Sequence, residues 1–259
     1  QPPAHVHTPS PPAPALNPSP AQPPSRSPFL FNFRNHAGTI RSCGWRPRPR
    51  LPSRAASAPP RAAAERAFSQ VQGFFEKHRN DDYIGEDVSQ AEHALQAAKL
   101  AHDSGFDDAT VLAALLHDIG HLYGIDATDE RMGDCGVANH EKLGADWLRS
   151  LGFEDKVAEL VERHVDAKPS ASLTRPTLKF DGLSDASKTT LGYQGGPMDE
   201  AEAASFESDK LFKEIVLMRH GDEQAKVPDL QVPTLEDYKE MMVSHVESTV
   251  TANAKESQA

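Results

Sequence analysis

Ala109-Thr-Val-Leu-Ala-Ala-Leu-Leu-His-Asp-Ile-Gly-His121 is the stretch that decides the fold. Its apolar residues Leu112, Leu115, Leu116 and Ile119 fall at i, i+3, i+4 and i+7, the spacing of one helical face, and Asp107 and Asp108 stand ready to cap the first turn. On one continuous helix His117 and His121 share a face, while Asp118 is turned by about 100° and can reach a second ion beside the first. The spacing predicts a dinuclear metal site on a short apolar helix. A lone His-Asp pair is weak evidence, because single histidines are commonly hydrogen-bonded core or surface residues. The case has to come from the other helices.

Working outward, residues 64–79 form an amphipathic pattern with Phe68, Val71, Phe74 and Phe75 on its buried side. Residues 80–89 are rich in turn formers, and a helix is expected over 88–103 with His93 aligned with Ala97 and Leu100. After an acidic loop, residues 138–151 place His140, Leu143, Gly144, Trp147, Leu148 and Leu151 on one stripe. Residues 154–166 do the same with Val157, Leu160, Val161, His164 and Val165. A further helix opens near Ser184 and ends at Gly195-Gly-Pro197; another, 208–222, ends its apolar stripe in Asp222; a last one runs from Pro233 to about Glu247. No strand pattern of useful length appears, so the expected fold is all-α over residues 65–250, with a frayed tail over 251–259.

The first 64 residues differ in kind. They hold 16 of the 21 prolines and eight arginines, with no lysine and no acid, so they cannot bury enough apolar surface to offset ordering and are expected to be disordered. Arg-rich, Ser-containing and acid-free, this extension resembles an organelle transit peptide, although a plain linker or a translated upstream stretch fits equally. Removing its eight positive charges from the chain's −11 leaves −19 on the remainder, which argues against nucleic-acid affinity there. The chain has no run of 18 apolar residues, and Cys43 and Cys135 suggest no disulfide framework. A soluble intracellular protein without a membrane partner is expected, cytoplasmic or, with a transit peptide, in a plastid or mitochondrion.

Burying an unpaired polar group costs about 1–3 kcal/mol, and an unpaired charge far more. His93, His117, Asp118, His140, His164 and Asp222 all fall on apolar faces, and a pair of metal ions would partner all six. Four imidazoles with two carboxylates suit transition metals better than magnesium.

Those residues, with His117-Asp-Ile-Gly-His121 and His140-Glu141 at their centre, resemble the HD-domain metalloprotein superfamily. Tyr83-Ile-Gly-Glu-Asp87, His164-Val-Asp-Ala-Lys168, Leu183-Ser-Asp-Ala-Ser187 and Gln194-Gly-Gly-Pro-Met198 are more specific. Over residues 70–240 they look like the mixed-valent diiron oxygenases of organophosphonate catabolism, the 2-amino-1-hydroxyethylphosphonate dioxygenase type. The resemblance implies an HD-domain helical bundle with an Fe(II)/Fe(III) pair and dioxygen as co-substrate. The implied reaction cleaves the carbon–phosphorus bond of a 1-hydroxy-2-aminoethylphosphonate-type molecule, releasing phosphate and an amino acid, glycine or an N-methylated analogue.

Carried over residue by residue, Asp118 would bridge the irons and His93, His117, His140, His164 and Asp222 would complete them. His121, Lys168 and Ser187 would contact the phosphonate; Lys168 lies four after His164 on the same helical face, within reach of such a group. Tyr83 and Glu86 would gate the site, the acid receiving a substrate ammonium. One departure stands out: Pro169, Ser170 and Ala171 follow Lys168 where the family carries a basic and an aromatic residue. The competing readings are an HD-domain phosphohydrolase acting on a phosphate ester or nucleotide, in which the same ligands activate water, and a non-catalytic binding module.

Overall fold

The computed structural model describes residues 59–83, 85–128, 130–133, 136–167, 183 and 185–257. Among them stand α1 Pro60–His78, α2 Gln90–Asp103, α3 Asp108–Leu116, α4 Ile119–Ala127, α5 His140–Leu151 and α6 Asp155–Arg163, then α7 Asp185–Tyr193, α8 Glu200–Glu207, α9 Phe212–Gln224 and α10 Lys239–Glu256. A 3₁₀ turn, His164–Asp166, continues α6, and another, Leu235–Tyr238, leads into α10. No strand forms among the described residues beyond two isolated bridges, Asp82 with Ser89 and Arg131 with Val137. The all-α expectation holds. No described helix is long and apolar enough to cross a membrane.

α3 is the axis of the bundle. Every residue from Ala109 to Leu116 is buried, the signature of a helix surrounded on all sides. α2 and α6 pack against it, α10 and α9 touch it, and α5 lies between α4 and α6. Phe68, Leu148, Leu160, Ile215 and Met242 complete the core from five other helices.

The central stretch is not the single helix its periodicity predicts. α3 stops at Leu116 and α4 starts at Ile119, with His117 and Asp118 in the turn between them. Asp118 leaves helical geometry at φ −98° and ψ 9°, and His117 Nδ1 donates back to the Ala114 carbonyl at 2.8 Å. His117 and His121 therefore do not share a face.

What α4 meets after the turn depends on two glycines. A Cβ added to Gly120 would fall 1.8 Å from the His140 carbonyl oxygen, and one added to Gly144 would fall 3.0 Å from the Gly120 amide nitrogen. Only bare backbone permits this crossing of α4 and α5.

Several boundaries differ from the sequence expectation. α1 begins at Pro60, with Ala64 fully buried, so the folded chain starts inside the stretch assigned to the extension; proline at the first turn needs no amide partner. α10 continues to Glu256 rather than fraying from residue 251, because Val246 is buried and Val250 packs over Gly152. Arg61 also joins the two terminal helices, reaching Glu240 at 2.9 Å and Glu247 at 3.4 Å. The helix assigned to 208–222 begins at Phe212, and α8, opened by a capping box of Asp199 and Glu202, was not foreseen. Residues 1–58, Cys135, Lys168 and Ser184 lie outside the described residues.

Candidate metal centre

The six polar residues drawn from five stripes meet in one place. All are buried: His93 is fully enclosed, and the others expose no more than 9% of their surface. His93 comes from α2, His117 and Asp118 from the turn after α3, His140 from the start of α5, His164 from the 3₁₀ turn after α6, and Asp222 from the last turn of α9.

Three of the four imidazoles are oriented by backbone carbonyls. The Nδ1 atoms of His93, His117 and His164 donate to Ala225, Ala114 and Val161 at 2.9, 2.8 and 2.7 Å. A neutral imidazole with hydrogen on Nδ1 has a bare lone pair on Nε2. Yet His93 Nε2 lies 3.1 Å from His117 Nε2, and His140 Nε2 lies 3.3 Å from His164 Nε2. Lone pairs held face to face at that range repel unless a cation or a proton lies between them.

Asp118 stands between the two pairs. Its Oδ2 is 3.4 Å from His117 and 3.7 Å from His93, while its Oδ1 is 3.5 Å from both His140 and His164. Asp222 Oδ1 adds a second carboxylate 3.7 Å from His93. The donor set thus divides into two clusters, each with two imidazole nitrogens and one oxygen of Asp118. It fits two transition-metal ions that share that carboxylate.

His121 is different. The Val137 amide donates to its Nδ1 at 3.1 Å, which leaves the ring hydrogen on Nε2 and makes that atom a donor. Proximity alone groups His121 with Asp118 and His140. The tautomer argues against ligation, and His164 fills that position instead. His121 stacks flat on His140, ring centroids 3.8 Å apart, a contact that follows from the glycine crossing.

Electrostatics point the same way. Burial pulls His117 down, but the Asp118 charge beside it more than reverses this and lifts it to about 9. Without metal the cluster holds a proton where it would hold a cation. Burial, then the His117 charge, pushes His93 down to about 4. Burial opposes ionisation of Asp118, but the neighbouring His117 holds it well below the usual carboxylate range.

A cavity of about 50 Å³ opens beside the cluster. Tyr83 reaches it from the loop before α2, stacked on His93 and donating to Asp222 Oδ1 at 2.9 Å. Burial and the nearby carboxylates push that phenol well above 10. Glu86, Ser187 and His121 line the same cavity, as do Thr190 and Gln194.

Two further cations on α9 and just beyond it were not singled out from sequence. Arg219 reaches Asp222 Oδ2 at 2.5 Å and Glu223 at 2.6 Å; Lys226 reaches Glu86 at 2.9 Å and Ser187 Oγ at 3.5 Å. Their spacing, three before and four after Asp222, is the signal that could have found them.

A helical bundle whose core gathers histidines around one aspartate of a His-Asp turn defines a class, and the chain belongs to the HD-domain family, whose profile matches residues 91–253. More particularly, it is 37% identical over 169 residues to 1-hydroxy-2-(trimethylamino)ethylphosphonate dioxygenase (glycine-betaine-forming) of Leisingera caerulea, covering 63% of this chain and 82% of that protein. It is 39% identical over 172 residues to hydroxymethylphosphonate dioxygenase of Gimesia maris, covering 65% and 84%. An uncharacterised protein of Acanthamoeba polyphaga mimivirus is 39% identical over 176 residues, covering 68% and 80%. The likeness to HD-domain phosphonate oxygenases read from the motifs is borne out.

Proposed function

We propose that the protein is a diiron oxygenase that cleaves the carbon–phosphorus bond of a 1-hydroxyphosphonate, with dioxygen as co-substrate. The expected products are phosphate and, from a 2-amino substrate, glycine or an N-methylated analogue. The observation that carries this reading is the shared carboxylate: both oxygens of Asp118 face pairs of convergent imidazole nitrogens, the donor arrangement of a dinuclear centre. Relatives that are phosphonate dioxygenases supply the reaction class.

In this reading His93, His117 and Asp222 would hold one iron and His140 and His164 the other, with Asp118 shared between the two sites. A mixed-valent Fe(II)/Fe(III) pair would supply the one-electron chemistry that dioxygen requires. The chain's own residues do the rest. His121 offers its Nε2 hydrogen to a phosphonate oxygen, and Ser187 offers its hydroxyl. Lys168 is proposed as a further phosphonate contact. Tyr83 covers the His93 side and holds its proton on Asp222, and Glu86 on the same loop receives a cationic substituent. Met132 and Val165 give the cavity apolar wall, which strengthens the charged contacts within it.

The test is phosphate release from 1-hydroxy-2-aminoethylphosphonate and hydroxymethylphosphonate by iron-loaded protein, with and without oxygen. Oxygen-dependent release with matching oxygen uptake is expected. Equal release under strict anaerobiosis would establish a phosphohydrolase instead.

A further inference from the structure

We propose that Lys226 is a specificity-determining counter-charge, an internal cation that occupies Glu86 until a substrate ammonium takes its place and that otherwise stays to neutralise it. The inference rests on the phosphonate-oxygenase reading and names which substituents the pocket accepts. Glu86 is not a carboxylate waiting alone for an ammonium. Lys226 Nζ lies 2.9 Å from Glu86 Oε1 and 3.6 Å from Glu223, and both Glu86 and Lys226 line the cavity. On its other side the same nitrogen is 3.5 Å from Ser187 Oγ. One ammonium therefore spans the cavity's acidic corner and its hydroxyl corner.

The backbone on either side of Lys226 is pinned. His93 Nδ1 donates to the Ala225 carbonyl at 2.9 Å, and Gln96 brackets Val227, donating to its carbonyl at 2.8 Å and accepting from its amide at 3.1 Å. The lysine's root is fixed to α2, so only its four-carbon stem has to move for the charge to pass from Glu86 towards Ser187.

Charge bookkeeping then makes two substrate classes compatible with one pocket. A phosphonate with an ammonium brings its own cation for Glu86, and Lys226 is released towards Glu223 and Ser187. A phosphonate with a neutral substituent brings only negative charge, and Lys226 stays on Glu86 and prevents two anions from facing each other in a buried space. The proposal predicts that this chain accepts both.

Equilibrium binding to the iron-loaded protein under anaerobic conditions separates the possibilities, with 1-hydroxy-2-aminoethylphosphonate and hydroxymethylphosphonate as probes. Lys226→Met should weaken hydroxymethylphosphonate by about tenfold or more and the aminated probe much less, since the ammonium replaces the missing charge. Lys226→Arg should restore the wild-type ratio of the two affinities, which a merely structural role would not track. Glu86→Gln, a milder change should Lys226→Met fail to fold, should weaken the aminated probe and leave hydroxymethylphosphonate unchanged or tighter. Equal losses for both probes in Lys226→Met, or a fall in both in Glu86→Gln, would overturn the counter-charge role. Failure of the wild-type protein to bind either phosphonate would instead overturn the functional reading beneath it.

Discussion

Tyr83 lies flat on His93, ring centroids 3.8 Å apart and planes 15° apart, while its hydroxyl donates to Asp222 at 2.9 Å. One side chain from a loop before α2 thus touches two of the residues proposed to hold one of the metals, one by stacking and one by a hydrogen bond. Because burial and nearby carboxylates hold the phenol protonated, it acts as a donor and a cover at neutral pH. Tyr83→Phe keeps the ring and removes the hydroxyl. The expected outcome is a resting diiron centre that oxidises faster in air, followed by the decay of its mixed-valent paramagnetic signal; an unchanged decay rate would remove the gating role.

Asp118→Ala should abolish binding of both metals, since each cluster loses its shared carboxylate oxygen and four imidazoles are left around two facing cations. His164→Ala should lower one site selectively. Metal content per chain after gel filtration reads the difference, and full loading of Asp118→Ala would refute the bridge.

Gly120→Ala tests the helix crossing that brings His121 onto His140. The new methyl group would meet the His140 carbonyl oxygen, which is backbone and cannot swing aside. Overpacking of this kind costs about 1–3 kcal/mol and more where backbone must move. A lower denaturant midpoint together with reduced metal content is expected. Gly73→Ala, on α1 with nothing within 4 Å, should instead stabilise by roughly 0.5–1 kcal/mol.

The metal-free protein should be less stable on both sides of neutral pH. His117 is raised to about 9, so its contribution is complete below the ordinary histidine value of about 6.5 and is lost as pH climbs through 9. His93 is lowered to about 4, so its contribution is complete above about 6.5 and is lost as pH falls through 4. Urea unfolding in the presence of a chelator should show both limbs. His117→Gln should remove the alkaline limb and soften the acid one, because the His117 charge helps hold His93 down.

Helical periodicity made the buried faces legible. The stripes of residues 138–151 and 154–166 turned His140 and His164 inward, Asp222 closed the stripe of α9, and all three are buried. The all-α class followed from the same rule, because period-3.6 apolar spacing is a property of neighbours in sequence. Ends of elements were read less well. α1 starts at Pro60 and α10 runs to Glu256, since partners distant in the chain, Glu240 for Arg61 and Gly152 for Val250, stabilise turns that composition alone marks as weak.

The sequence by itself thus determined which residue types are buried on which helix, and through its motifs the family. Only the tertiary structure decided how they meet. The break at His117–Asp118 and the contact of Gly120 with α5 turn His121 away from His117 and onto His140. The end of α9, held to α2 by His93 and Gln96, brings Lys226 to Glu86 across 140 residues of chain. The reason is physical: a side chain's face on its own helix is set by the local 3.6-residue period, whereas distances between helices are set by turn geometry and by how closely two backbones can approach.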